Sequence, residues 1–107
     1  MDEETTKRIQ NLQALEQDFQ QLLMQKQNLQ LETNETTTAL TEITKTKGDV
    51  FRVLGQIMVK SNPTDLKKEL TEKKGLLDKR IEIVEKQETS LRENIERIRN
   101  DIMEKMK

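Results

Sequence analysis

Residues 49–61 read Asp-Val-Phe-Arg-Val-Leu-Gly-Gln-Ile-Met-Val-Lys-Ser. This is the one stretch with a strand-like composition. Val50, Phe51, Val53, Leu54, Ile57, Met58 and Val59 crowd together and are mostly β-branched or aromatic types. Gly55-Gln56 divides the run. A glycine in first place suits a tight II′ turn, because Gly reaches positive φ without steric cost. The reading is a β-hairpin of about 50–54 and 57–61. Such a hairpin is marginal on its own. Its apolar residues sit on both faces and its edges invite further strands. It is therefore either covered by its own helix ends or paired with hairpins of other chains. The second is favoured, because too few local residues exist to cover two apolar faces.

The flanks are helical. Within residues 5–47, Leu12, Phe19, Lys26, Thr33 and Leu40 form one seam row, and Leu15, Leu22, Leu29, Thr36 and Ile43 form the other. Spacings alternate between 3 and 4 residues, as in a coiled coil. The run Thr33–Thr38, Thr-Asn-Glu-Thr-Thr-Thr, is poor in helix formers. It reads as a loosely packed but continuous helix, with a local bend as the alternative. Lys45 and Lys47 are placed in the last turn, and Gly48 is expected to end the helix as a C′ residue.

After the hairpin, Asn62 is a suitable N-cap, Pro63 suits the first helical position and Asp65 the first turn. The second helix is expected over 63–106. Its seam reads Leu70, Leu77, Val84, Leu91 and Ile98, with Ile81, Ile95 and Ile102 beside them. Glu69–Lys73, Glu82–Lys86, Glu88–Arg92 and Glu93–Arg97 are acid-to-base pairs at i,i+4. Gly75 is a weak point inside this helix. Two helices of nearly equal length joined by a short hairpin are expected to pack antiparallel, as a helical hairpin. Counted outward from the β-hairpin, Phe19 then falls near Leu91, Ile9 near Ile102, and Lys26 near Glu85.

Composition agrees. The chain of 107 residues is 36% charged, 32% hydrophobic and 2% aromatic, which suits long helices better than a compact globule. One domain over 1–107 is expected. Net charge is −1, and neither helix is a basic arm, so no nucleic-acid partner is expected. Cysteine is absent, which excludes disulfides and thiol chemistry. No apolar run approaches the roughly 20 residues of a membrane span, and the acidic start Met-Asp-Glu-Glu has no signal-peptide core. A soluble, cytoplasmic protein without membrane contact is expected. There is also no His, Tyr or Trp. No glycine-rich phosphate loop follows a strand, and the carboxylates lie on solvated helix faces. Neither an enzyme nor a cofactor or metal site is expected.

Val50–Lys60 resembles the aromatic–basic–x–apolar–Gly–x–apolar–apolar–Val stretch that links the two coiled-coil helices of β-type prefoldin subunits. Gln25-Lys26-Gln27, and Lys79-Arg80 before Ile81-Glu82, are also similar to that family. Phe51 stands where Tyr is commoner, and the chain lacks the polar tail that many members carry after the second helix. The resemblance covers nearly the whole chain. It implies a mainly α fold: a long antiparallel coiled-coil hairpin whose single β-hairpin contributes to an inter-subunit β-barrel. It further implies an ATP-independent co-chaperone, a holdase subunit in a hexamer of two α-type and four β-type chains. Coiled-coil tips would bind unfolded polypeptides and deliver them to a group II chaperonin.

On that reading Val50, Phe51, Val53, Leu54, Gly55, Ile57, Met58 and Val59 are the oligomerisation hairpin. Ile9, Leu12, Ile98, Ile102, Met103 and Met106 are the candidate client-binding tip. Met103 and Met106 fall off the seam, and methionine suits promiscuous apolar contacts. Ile9, Leu12, Ile98 and Ile102 also read as ordinary seam residues at helix ends. The alternative function is a structural scaffold or tether that dimerises through its helices and uses the hairpin only as a connector.

Overall fold

The computed structural model describes residues 2–107. In chain order the elements are α1 (Glu3–Lys45), β1 (Val50–Leu54), β2 (Ile57–Ser61) and α2 (Pro63–Lys105). Both helices are 43 residues long, about 65 Å each at about 1.5 Å per residue. The chain divides into two units. One joins the residues up to Asn28 with Ile81–Lys107, and the other is Leu29–Arg80.

Helix α1 begins two residues before the expected position, because Asp2 is an N-cap that the acidic start concealed. Its Oδ1 accepts the Thr5 amide at 2.7 Å, filling one of the orphan donors of the first turn. Glu3 and Glu4 then lie at the positive end of the helix dipole. The other end corrects the sequence reading. The helix stops at Lys45, so Lys47 is outside it and Gly48 is not its C′ residue. Gly48 also has no positive φ, which the left-handed cap requires. Thr46 closes the last turn instead. Its amide is shared between the Glu42 and Ile43 carbonyls at 3.0 and 3.3 Å, and its hydroxyl donates to the Glu42 carbonyl at 2.6 Å.

The threonine-rich run stays helical. Thr33, Thr36 and Thr37 donate their hydroxyls to the carbonyls four residues back, at 2.7, 2.8 and 2.9 Å. A buried hydroxyl is costly without a partner. Thr36, at 4% exposure on the seam, is therefore tolerated because the Glu32 backbone carbonyl accepts its hydroxyl hydrogen bond.

Helix α2 starts as expected. Asn62 Oδ1 accepts the Thr64 amide at 2.8 Å and the Asp65 amide at 3.4 Å. Pro63 occupies the first helical position, where its missing N–H costs nothing.

The core is a stripe on each helix. Leu29, Leu77, Val84, Ile95 and Ile102 are buried; Leu12, Leu15, Phe19, Leu22, Leu70, Ile81, Leu91 and Ile98 are half-buried. In the unit that holds the chain termini, cross-helix pairs run antiparallel. Lys105 Nζ reaches Glu4 at 3.2 Å, Arg99 reaches Glu16 at 3.0 Å, and Lys26 reaches Glu88 at 3.1 Å. In the other unit Lys73 reaches Glu32 at 3.3 Å.

The Lys26 partner differs from the expected Glu85. Glu85 is exposed. Glu88, one turn further on, completes the seam row of Lys74, Ile81, Ile95 and Ile102, and its side chain is 9% exposed against 24% for Lys26. Its second oxygen accepts from Arg92 at 2.9 Å. The Arg92 guanidinium in turn lies 5.6 Å from the centroid of the Phe19 ring, a cation–π contact worth about 0.5–1 kcal/mol. Of the four expected i,i+4 pairs, Glu82–Lys86 and Glu88–Arg92 form. Lys73 turns to Glu32, Glu69 pairs with Arg52, and Arg97 donates to Asn94. Lys73 and Glu69 find partners outside their own helix and Arg97 finds one three residues back on it, as expected where exposed pairs differ by only a few tenths of a kcal/mol.

Removing Lys26 leaves Glu88 nearly buried with a single, exposed cation. Lys26→Met is expected to lower stability by about 1–3 kcal/mol. The double variant Lys26→Met/Glu88→Leu removes both charges and is expected to recover at least the parental stability. Urea unfolding at one fixed protein concentration checks both; a double variant as unstable as the single one would contradict this account.

Candidate interaction surfaces

The hairpin forms in the register Val50↔Ser61, Phe51↔Lys60, Arg52↔Val59, Val53↔Met58 and Leu54↔Ile57. Gly55 has φ of 60°, and among the described residues no other has positive φ. Positive φ at the first loop position alone is the mark of the II′ turn, so the local sequence decides both the turn and the register.

Paired residues share a face. Val50, Arg52, Leu54, Ile57, Val59 and Ser61 lie on one, and Phe51, Val53, Met58 and Lys60 on the other. The β1 side of the first face sits beside the helices. Val50 and Arg52 are half-buried there, a groove is lined by Ala39, Ile43, Leu66 and Leu70, and Arg52 pairs with Glu69. Lys60 pairs with Asp49 at 3.4 Å. The rest is open. Phe51, Val53, Leu54, Ile57, Met58 and Val59 are all exposed in the single chain, Met58 to 66%. Six large apolar side chains on ten strand residues make a patch of the kind that marks an interaction surface. Their burial would contribute roughly 1.5–3 kcal/mol each.

In the unit that holds the termini, the six candidate tip residues separate into three groups. Ile102 is buried in the seam at 8% exposure. Ile9, Leu12 and Ile98 are half-buried. Met103 and Met106 are exposed to 65% and 64%, as their off-seam positions require. The same region holds Asp2, whose acidity is displaced. The hydrogen bonds from Thr5, side chain first and then backbone, hold the Asp2 carboxyl below its ordinary value, with Lys105 adding to the shift.

Four exposed apolar residues were not singled out from the sequence: Met24 and Ile83 in this unit, and Leu31 and Leu76 in the other. The available signal was their seven-residue spacing, Met24 to Leu31 and Leu76 to Ile83, one helical face away from the seam.

The sequence profile of the family described as "Prefoldin subunit" matches residues 6–107. The chain belongs to the prefoldin family, as a β-type subunit. Among its relatives is "Prefoldin subunit beta" of Saccharolobus islandicus, 32% identical over 94 residues, which cover 86% of this chain and 75% of the relative. Another is "Prefoldin subunit beta" of Archaeoglobus fulgidus, 37% identical over 84 residues, 77% of this chain and 72% of the relative. The crystal structure of the prefoldin beta subunit from Thermococcus strain KS-1 matches with a TM-score of 0.87 at 28% identity, covering 96% of this chain and 92% of that one. Prefoldins are chaperone subunits rather than enzymes, and a β-type prefoldin belongs to a hetero-oligomeric complex with other subunits. Among the described residues, no helix is long and apolar enough to cross a membrane.

The Asp2 cap has a pH signature. Its folded-state acidity is strengthened, so the cap stabilises the helix terminus above the ordinary carboxylate range, near pH 4, and that contribution disappears as pH falls through the folded value. The Thr5 amide proton, followed by NMR, should titrate with Asp2 at a midpoint below 3.8. A midpoint at or above that value would mean the cap is not formed.

Proposed function

We propose that this chain, acting as one prefoldin-like domain, is a holdase subunit of an ATP-independent co-chaperone. Its hairpin joins those of α-type prefoldin partners and other β-type copies in a hexamer of two α and four β chains. Val50, Phe51, Val53, Leu54, Ile57, Met58 and Val59 supply the pairing surface, and Gly55 sets the turn that presents it. The observation that carries this reading is the hairpin itself: an apolar two-stranded sheet, open on most of both faces, in a chain of the β-type prefoldin family.

In this reading the ends of the helices hold unfolded polypeptide and pass it to a group II chaperonin in the cytoplasm. Met103 and Met106 are the first contacts, being exposed and flexible. Ile9, Leu12 and Ile98 contribute their exposed portions, and Ile102 becomes available only where the helix ends fray. A few scattered apolar contacts bind weakly at one subunit. Several subunits engaging one client raise the avidity without any new contact.

The assembly reading is tested by the light-scattering mass of the chain alone and after mixing with an α-type prefoldin subunit. A shift to a hexamer mass is expected on mixing. Val53→Asp/Ile57→Asp is expected to abolish that shift while leaving the helical circular dichroism in place, because the helix seams do not include either residue. A mass unchanged by the partner, or by the double substitution, would instead favour a scaffold that associates through its helices.

The holding function is tested separately. Met103→Ser/Met106→Ser is expected to assemble normally. It should suppress the aggregation of a denatured client, without ATP, several-fold less effectively than the parent. Undiminished suppression would remove these two side chains from the client surface.

A further inference from the structure

The threonine-rich run of α1 and the interior glycine of α2 lie in the same unit, Leu29–Arg80. They also lie at nearly the same level. Glu32, just before the run, reaches Lys73 at 3.3 Å, and Ala39, just after it, lines one groove with Leu66, Leu70 and Lys73. Residues 33–38 are therefore bracketed by the Glu32–Lys73 pair and by a groove shared with residues 66–73, and Gly75 falls within about one helical turn of that span.

Each side of this level is soft for its own reason. In α1, β-branched residues are concentrated where straight-chain helix formers would lose less freedom. Thr33, Thr36 and Thr37 also turn their hydroxyls onto the i−4 carbonyls, a back-bonding that loosens helices and bends them. In α2, nothing local requires a glycine at 75. A Cβ built there meets no atom within 4 Å, and its φ is not positive. What Gly75 supplies is backbone freedom alone. The cross-helix tie at this level, Glu32–Lys73, is about half exposed on both partners, and exposed pairs of that kind hold little. The seam continues through the region, with Thr36 at 4% and Leu77 at 2% exposure. The helices are continuous here.

We propose that Thr33–Thr38 and Gly75 together form a compliant segment at which both helices open locally, ahead of the helix on either side. The device is independent of what the hairpin or the helix ends bind, so it stands or falls apart from the chaperone reading.

Hydrogen exchange of the full-length chain, read by amide NMR, tests it. Amides of 34–38 and 73–77 are expected to exchange at least tenfold faster than those of 20–26 and 84–91, with rates insensitive to low urea, as local openings are. Gly75→Ala fits the open space at that position. It should slow exchange about fivefold at 73–77 and also slow it at 34–38 on the opposite helix, with 20–26 unchanged. Thr37→Ala, on an exposed site, should produce the reciprocal effect.

Uniform protection along both helices of the parent chain would overturn the proposal. So would a Gly75→Ala variant that slows all amides equally, which is the mark of a change in the unfolded chain. Slowing confined to 73–77 would overturn the coupling between the helices.

Discussion

With barely a third of its residues hydrophobic, this chain has enough apolar surface for one narrow stripe on each helix and little more. Everything else in the fold follows from matching those stripes. Isolated helices owe little of their stability to propensity and most of it to the packing of an apolar face. The two seams must therefore meet, and the polar residues that interrupt them must be satisfied in place. Lys26 and Glu88 are the sharpest case. Each interrupts a seam, each finds the other, and Arg92 and Phe19 extend the contact. A buried ion pair is a poor source of net stability. Its value here is geometric, because a one-turn slip would strand a charge among apolar side chains.

The same scarcity explains the hairpin. Seven apolar residues are gathered in the one stretch that the helices cannot enclose. The β1 side rests beside Ala39, Ile43, Leu66 and Leu70 and is tied by Arg52 to Glu69. The other face and all of β2 except Ser61 stay exposed. Leaving the densest apolar segment in water is what supports the proposed hairpin pairing, and membership in a family of hetero-oligomeric chaperone subunits supplies the context. The contrast with the helices is instructive. Short of Met103 at the helix end, their exposed apolar residues, Met24, Leu31, Leu76 and Ile83, stand singly, and single exposed hydrophobes are ordinary on any surface.

Thr36 shows how local chemistry lets a poor sequence remain a helix. A hydroxyl on the seam needs an acceptor, and the carbonyl one turn back is the only acceptor that every helix carries with it. The solution keeps α1 continuous from Glu3 to Lys45 and loosens it at the same point. Thr46 uses the same bond to end the helix, which is why Gly48, three residues beyond Lys45, has no capping role.

The sequence by itself determined the element order, the heptad seams, the hairpin register with its Gly55 turn, and the Asn62-Pro63 start of α2. All of these rest on interactions within a few residues or on strict periodicity. Met103 and Met106 were legible as exposed for the same reason, since their distance from the seam follows from counting. The tertiary structure decided what depends on reach between the helices. Glu88 rather than Glu85 receives Lys26, Lys73 leaves Glu69 for Glu32, and Ile102 is buried while Ile98 is not. Long charged side chains span more than a helical turn, so several partners lie within range. The choice is set by how the backbones sit side by side, and no spacing within one helix encodes that.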